Sequence, residues 1–115
     1  MDAHKNDLAG TSSQELLARR RELARGLGDV EHVLAGSLAG QWRRCGKAGC
    51  QCAGGEPHGP YAYFRPPGGR GRARYVPAAQ EPAARRFLQR GAEVGDVLAE
   101  ISAINAELLA RRELE

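Results

Sequence analysis

The sequence predicts an α+β fold, with two long antiparallel amphipathic helices flanking a small β-hairpin module. Three observations predict it. Apolar residues recur at helical spacing towards both ends of the chain, the middle shifts to alternation, and that middle holds all three cysteines. With 115 residues the chain fits one domain with a modest core. The polar segment 1–11 reads as a flexible N-terminus. A single domain then spans 12–115, made of a helix over 12–35, the hairpin module over 36–77 and a helix over 80–113.

The first helix opens on Ser12-x-x-Glu15, a capping-box pattern ahead of an apolar stripe. Leu16, Leu23, Leu27, Val30 and Leu34 then recur on one helical face, with Arg19, Arg20, Arg21 and Arg25 mostly off it. Gly26 and Gly28 weaken the helix by about 1 kcal/mol each relative to alanine, and Gly36 is a stop signal. In the middle, Ser37–Arg44 reads as a strand with Leu38, Gly40 and Trp42 on one face. Tyr61 and Tyr63 alternate with Ala62 and Phe64. Pro66-Pro67-Gly68-Gly69-Arg70-Gly71 is a turn signal, after which Arg72, Arg74 and Val76 alternate with Ala73 and Tyr75. A hairpin follows, extended to three short strands by the first segment.

The closing helix starts near Glu81-Pro82, where a proline in the first turn and a carboxylate at the positive end of the dipole are both favourable. Phe87, Val94, Val97, Ile101, Ile104 and Leu108 form a coiled-coil-like seam, widened by Leu88, Leu98 and Leu109. Gly91 and Gly95 lie one turn apart. They are read as a locally weak stretch rather than as a point of close approach, because glycine costs helix stability.

Three cysteines within eight residues do not suit a disulfide framework. Together with a histidine they form the string Cys45-x4-Cys50-x-Cys52-x5-His58, the Cys3His donor set of structural zinc. Neighbouring glycines permit tight turns, and Arg43, Arg44 and Lys47 offset thiolate charge. A Zn2+ bound here would supply roughly 10–16 kcal/mol towards folding, far beyond what so short a loop gains by burial. Other readings are free thiols beside a turn histidine, a Cys50-x-Cys52 redox dithiol and a catalytic zinc. The redox reading lacks a Cys-x-x-Cys at a helix start, and the catalytic one lacks an open coordination position and a glutamate base. Iron would prefer four cysteines. The structural zinc staple is therefore taken.

Charge is unevenly distributed. Residues 36–76 carry Arg43, Arg44, Lys47, Arg65, Arg70, Arg72 and Arg74 against Glu56 alone, seven to one for a net +6. The flanking segments are mildly acidic. Those seven residues are the candidate contacts to nucleic acid, with Tyr61, Tyr63 and Trp42 read as core in preference to stacking platforms. The alternative is a protein-interaction or assembly module acting through its helical bundle, with no direct nucleic-acid contact. The helices would pair into a homodimer in either case. No Ser/His/Asp set, phosphate-binding glycine loop or paired carboxylates are evident, so neither an enzyme nor a small-molecule substrate is expected. No apolar run is long enough for a membrane span, and Met1–Gly10 has no signal-peptide core, which points to the cytoplasm.

Gly36-Ser37-Leu38, Cys45-Gly46-Lys47 with Cys50 and Cys52, His58-Gly59-Pro60-Tyr61, the Arg72–Pro77 strand and the Asn105-containing helix also carry a resemblance. The chain resembles an uncharacterised bacterial family of small proteins often encoded near mobile-element or integrase-type genes. The resemblance spans about residues 12–112. It implies a recurring Cys/His pattern and DNA-related work, and no particular activity.

Overall fold

The computed structural model describes residues 8–69 and 71–115. Arg70 and the part of the expected flexible terminus before Leu8 lie outside the described residues. The elements are α1 (Ser13–Arg25), β1 (Ser37–Arg43), a 3-10 turn (Gln51–Ala53), β2 (His58–Arg65), a further short 3-10 segment (Pro67–Gly69), β3 (Arg74–Val76) and α2 (Glu81–Ala110). The class is α+β, with a three-stranded antiparallel sheet in the order β1-β2-β3. No helix among the described residues is long and apolar enough to cross a membrane.

The chain divides into two compact units, and α2 contributes to both. One unit comprises the described residues up to Glu31 together with Ala92–Glu115, and the other is His32–Gly91.

In the first unit the expected capping box is present. The Ser12 hydroxyl accepts from the Glu15 N–H at 3.1 Å, and Glu15 accepts from the Ser12 N–H at 3.3 Å. Leu16 and Leu23 pack with Ile104 and Leu108, and Leu8, Val97 and Ile101 close the cluster. Polar side chains also link the two segments of this unit. Arg20 donates to Asn105 Oδ1 at 2.8 Å, Arg19 to Glu100 at 2.9 Å, and the Ser13 hydroxyl to Glu113. Arg111, only 22% exposed along its side chain, donates to Glu107 at 2.8 Å and to the Leu8 and Thr11 carbonyls at 2.8 and 2.7 Å. The helix ends in a Schellman pair, Glu113 N–H to Leu108 O and Arg112 N–H to Leu109 O, with Arg112 in the left-handed position at φ 59°.

The helix expected over 12–35 stops earlier, at Arg25. Gly26 caps it, and Gly28 at φ 66° turns the chain out of helical conformation. Val30 is half-exposed, while Leu34 belongs to the second unit, where its N–H bonds the Phe87 carbonyl at 2.9 Å. The apolar spacing that runs past Gly26 therefore crosses a unit boundary and is not one helical face. On α2, Val94, Ile104 and Leu108 are buried as the seam requires, but Leu98 and Leu109 are exposed rather than part of a wider buried face.

In the second unit, pairing places Leu38 opposite Phe64 and Ala62 opposite Val76, so these share one face of the sheet. Leu34, Phe64, Val76, Ala83 and Phe87 line a common apolar recess, and His32 meets Phe87 edge-on at 5.4 Å. Gly91 corrects the expectation made for it. A Cβ there would fall on the Leu34 carbonyl, whereas one at Gly95 would meet nothing within 4 Å.

These two glycines should respond oppositely to alanine. Gly95→Ala should raise the urea midpoint by the equivalent of about 0.5–1 kcal/mol, since only backbone entropy changes. Gly91→Ala should lower it by about 1–3 kcal/mol through overpacking on the Leu34 backbone. Equal shifts in equilibrium unfolding would contradict the close approach.

Candidate metal centre

β1 and β2 pair regularly from Ser37–Arg65 to Gln41–Tyr61, and the register then slips so that Arg43 faces His58. The slip is a bulge, which re-aims side chains at a strand end. Gly59 permits it. Its φ is 131°, and a Cβ there would sit 2.7 Å from the Gln41 carbonyl oxygen and 3.3 Å from Trp42 Cα. The bulge carries His58 to the side of the sheet where the chain leaving β1 begins its cysteine loop.

That loop closes on itself through backbone bonds. The Cys50 N–H reaches Lys47 O at 3.1 Å, and the Ala53 N–H reaches Cys50 O at 3.1 Å, which starts the 3-10 turn holding Cys52. Cys52 is buried at 2% exposure, and its sulfur accepts from the Cys45 N–H at 3.4 Å. The Cys45 and Cys52 sulfurs are 3.6 Å apart, and Cys50 Sγ lies 3.1 Å from His58 Nε2. All four donor atoms lie within 4.8 Å of one another, a grouping that could hold a metal ion. The expected ligands Cys45, Cys50, Cys52 and His58 are thus together in space, from a loop, a turn and a strand end.

Such proximity perturbs the thiols. The Lys47 backbone N–H, followed by His58 and the Cys50 and Cys52 thiols, holds the Cys45 thiol well below its ordinary range, at about 6. For Cys50 the Cys52 N–H pulls the value down, but the adjoining Cys45 and Cys52 thiols and partial burial outweigh it and push the value up. One sulfur ionises first and discourages the next, as expected where like charges share a site. A bound cation would remove that conflict by favouring thiolate at every position.

The basic residues separate into two roles. Arg44 donates to the Cys52 carbonyl and, at 2.7 Å, to the Gly55 carbonyl, so its guanidinium ties the cysteine loop shut. Sequence reasoning grouped it with the outward-facing arginines, and no spacing signal marks it as a loop tie. Arg43 lies with its guanidinium carbon 5.0 Å from the Tyr63 ring centroid. Lys47, Arg65, Arg72 and Arg74 are exposed, and Arg70 lies outside the described residues.

The aromatic residues differ from the expectation of a core beneath the hairpin. Tyr61, Tyr63 and Tyr75 share the sheet face opposite Phe64 and Val76, and Tyr75 and Trp42 are more than half exposed. Phe64 alone of the β2 aromatics points to the apolar side. Together with Arg43, Cys45 and His58, the tyrosines line an open groove of about 500 Å³. Strand alternation placed Tyr61 and Tyr63 on one face, but nothing in the sequence said which face would be covered.

A family model described as a domain of unknown function (DUF6788) matches residues 13–86, and the chain belongs to that family. The match covers α1, all three strands and the four donors, and it ends within α2. No curated protein and no solved structure matches the chain.

Cys45 ionises more readily in the folded loop than in an unfolded chain. Its ionisation therefore favours the folded loop fully above the ordinary thiol range, and the benefit is lost as pH falls through about 6. In metal-free protein at about pH 7, iodoacetamide should label Cys45 ahead of Cys50, with buried Cys52 slowest. Peptide mass mapping over time checks the order, and equal rates for Cys45 and Cys50 would contradict the geometry.

Proposed function

We propose that this member of the DUF6788 family is a small, non-enzymatic, zinc-containing DNA-binding accessory protein. The observation that carries the reading is a contrast in how the arginines are used. In the helices Arg19 pairs with Glu22 and Glu100, Arg85 with Glu81, and Arg111 with Glu107. In the sheet-bearing module, Lys47, Arg65, Arg72 and Arg74 are exposed and form no ion pair with a described residue. Residues 36–76 contain Glu56 as their sole acid against seven Lys/Arg, the local +6. Unneutralised arginines on a rigid module are what a phosphate backbone selects. Arg43 and Arg70 would join them, and Arg44 is excluded because it holds the loop carbonyls.

Zinc suits the donor cluster. Three sulfurs and one imidazole nitrogen are its usual tetrahedral structural set, and a Zn–S bond of about 2.3 Å puts tetrahedral sulfurs about 3.8 Å apart. The 3.6 Å between Cys45 and Cys52 lies close to that value. With four protein donors the ion has no open position, so it holds the module's shape and performs no chemistry. A bacterial mobile-element setting, which the sequence resemblance implies, would suit a protein that attends DNA.

Assembly through the helices is a second reading, favoured by one observation. Leu98 and Leu109 are 51% and 61% exposed and lie about three turns apart on one side of α2. A second copy of the chain would cover them.

Purified protein should contain one zinc per chain by elemental analysis. Absence of metal from a protein that stays folded in chelator would overturn the zinc assignment. DNA affinity should fall steeply with salt, and replacing Arg65, Arg72 and Arg74 together by alanine should flatten the log–log salt slope by roughly 2–3. Salt-independent binding, or none, would remove the DNA reading. For assembly, sedimentation equilibrium should show a dimer that Leu98→Asp dissociates. A monomer at every concentration would exclude it.

A further inference from the structure

We propose that the tyrosine groove beside the donor cluster receives an unpaired base, so that the DNA bound is single-stranded. The inference rests on the DNA-binding reading and adds to it the state of the strand.

Register brings the groove together. Tyr61 and Tyr63 alternate on one face of β2, Tyr75 pairs with Tyr63 across β3, and Arg65 continues the same face two residues on. These rings are not the sheet's apolar core, which is built from Leu38, Phe64 and Val76 on the opposite face. Tyr75 meets Tyr63 at 5.7 Å and 61°, and Tyr61 at 6.4 Å and 66°. The rings thus touch edge to face and do not stack, and Tyr75 keeps 52% of its surface open. Arg43 lies over Tyr63 with its guanidinium carbon 5.0 Å from the ring centroid, and both residues line the groove.

Exposed ring faces interleaved with guanidinium groups select a π surface that carries negative charge alongside it. An unpaired base with its phosphate has both. In a duplex the base faces are already stacked on their neighbours, and only edges and phosphates remain accessible. Arginines alone would suit a duplex equally well, so it is the exposed Tyr75 ring, set beside the half-buried Tyr61 and Tyr63, that decides. The groove volume of about 500 Å³ falls in the range of small-ligand sites, and no carboxylate lines it. From Tyr61 to Arg65 the face runs about 13 Å, long enough for a base at one end and a phosphate contact at the other. Stacking and phosphate contacts do not by themselves distinguish DNA from RNA, and the strand is taken as DNA from the proposed function.

Zinc-loaded full-length protein would be titrated into labelled oligo-deoxythymidine longer than the roughly 4–16-nucleotide footprint of comparable surfaces, and into a duplex of equal length. The single strand should bind more tightly. Tyr75→Leu should weaken it by about tenfold or more without changing zinc content, while Tyr75→Phe, which keeps the ring, should restore binding. Tyr61→Leu, on the neighbouring strand, gives an independent reading should Tyr75→Leu fail to fold. A preference for duplex, single-strand affinity unchanged in the folded leucine variants, or tighter binding of oligo-uridine would each overturn the inference. The first two would leave the arginine-based DNA reading intact, whereas no binding to either DNA form would remove both.

Discussion

Three sulfur atoms and an imidazole nitrogen held within 4.8 Å of one another are the constraint on which the sheet-bearing unit depends. Like charges this close oppose one another, and the opposed shifts of Cys45 and Cys50 express that opposition. The chain still brings the donors together through devices with no other evident purpose. A bulge is placed at the end of β1, a glycine at 59 admits the backbone of β1, and Arg44 clamps the carbonyls of Cys52 and Gly55. Each sets the position of one donor or closes the loop between two. A cation at their centre would turn a repulsive cluster into a point from which loop, turn and strand are all fixed.

Electrostatics divides the molecule along a different line from secondary structure. The exposed pairs Arg19–Glu22 and Arg85–Glu81 add little stability, since such pairs contribute on the order of 0–1 kcal/mol. Their effect is to neutralise the helix surfaces. The module has no comparable carboxylates, so its potential is left intact at ranges up to about a Debye length, roughly 8–10 Å in physiological salt. Arg111 shows the opposite economy. One half-buried guanidinium joins Glu107 to the Leu8 and Thr11 carbonyls and fastens both chain ends of its unit.

Much of the fold was legible because local rules carried it. Ser12 and Glu15 announce a capping box by spacing alone, the alternation of residues 61–64 and 72–76 sets the faces of two strands, and clustered cysteines with one histidine imply convergence. What escaped was set by tertiary partners. Val30 and Leu34 continue a helical spacing, yet Gly28 turns the chain and Leu34 joins another unit. Gly91 resembles a weak point until the Leu34 backbone is found against it. Arg44 and Arg43 are adjacent arginines with different duties, one on loop carbonyls and one over a ring. The exposure of the tyrosine face depends on what covers the sheet, and no local pattern encodes that.

The division into units has a consequence for the order in which the chain is made. Leu16 and Leu23 leave the ribosome well before the side chains that bury them, Ile104 and Leu108, have been made. The unit spanning His32–Gly91 has no such debt to later sequence. Since domains tend to fold as they emerge, at about 5–20 residues per second, its four donors can come together while α1 still waits for its partner. The sheet-bearing unit is thus complete in sequence before the unit that packs α1 against the later part of α2.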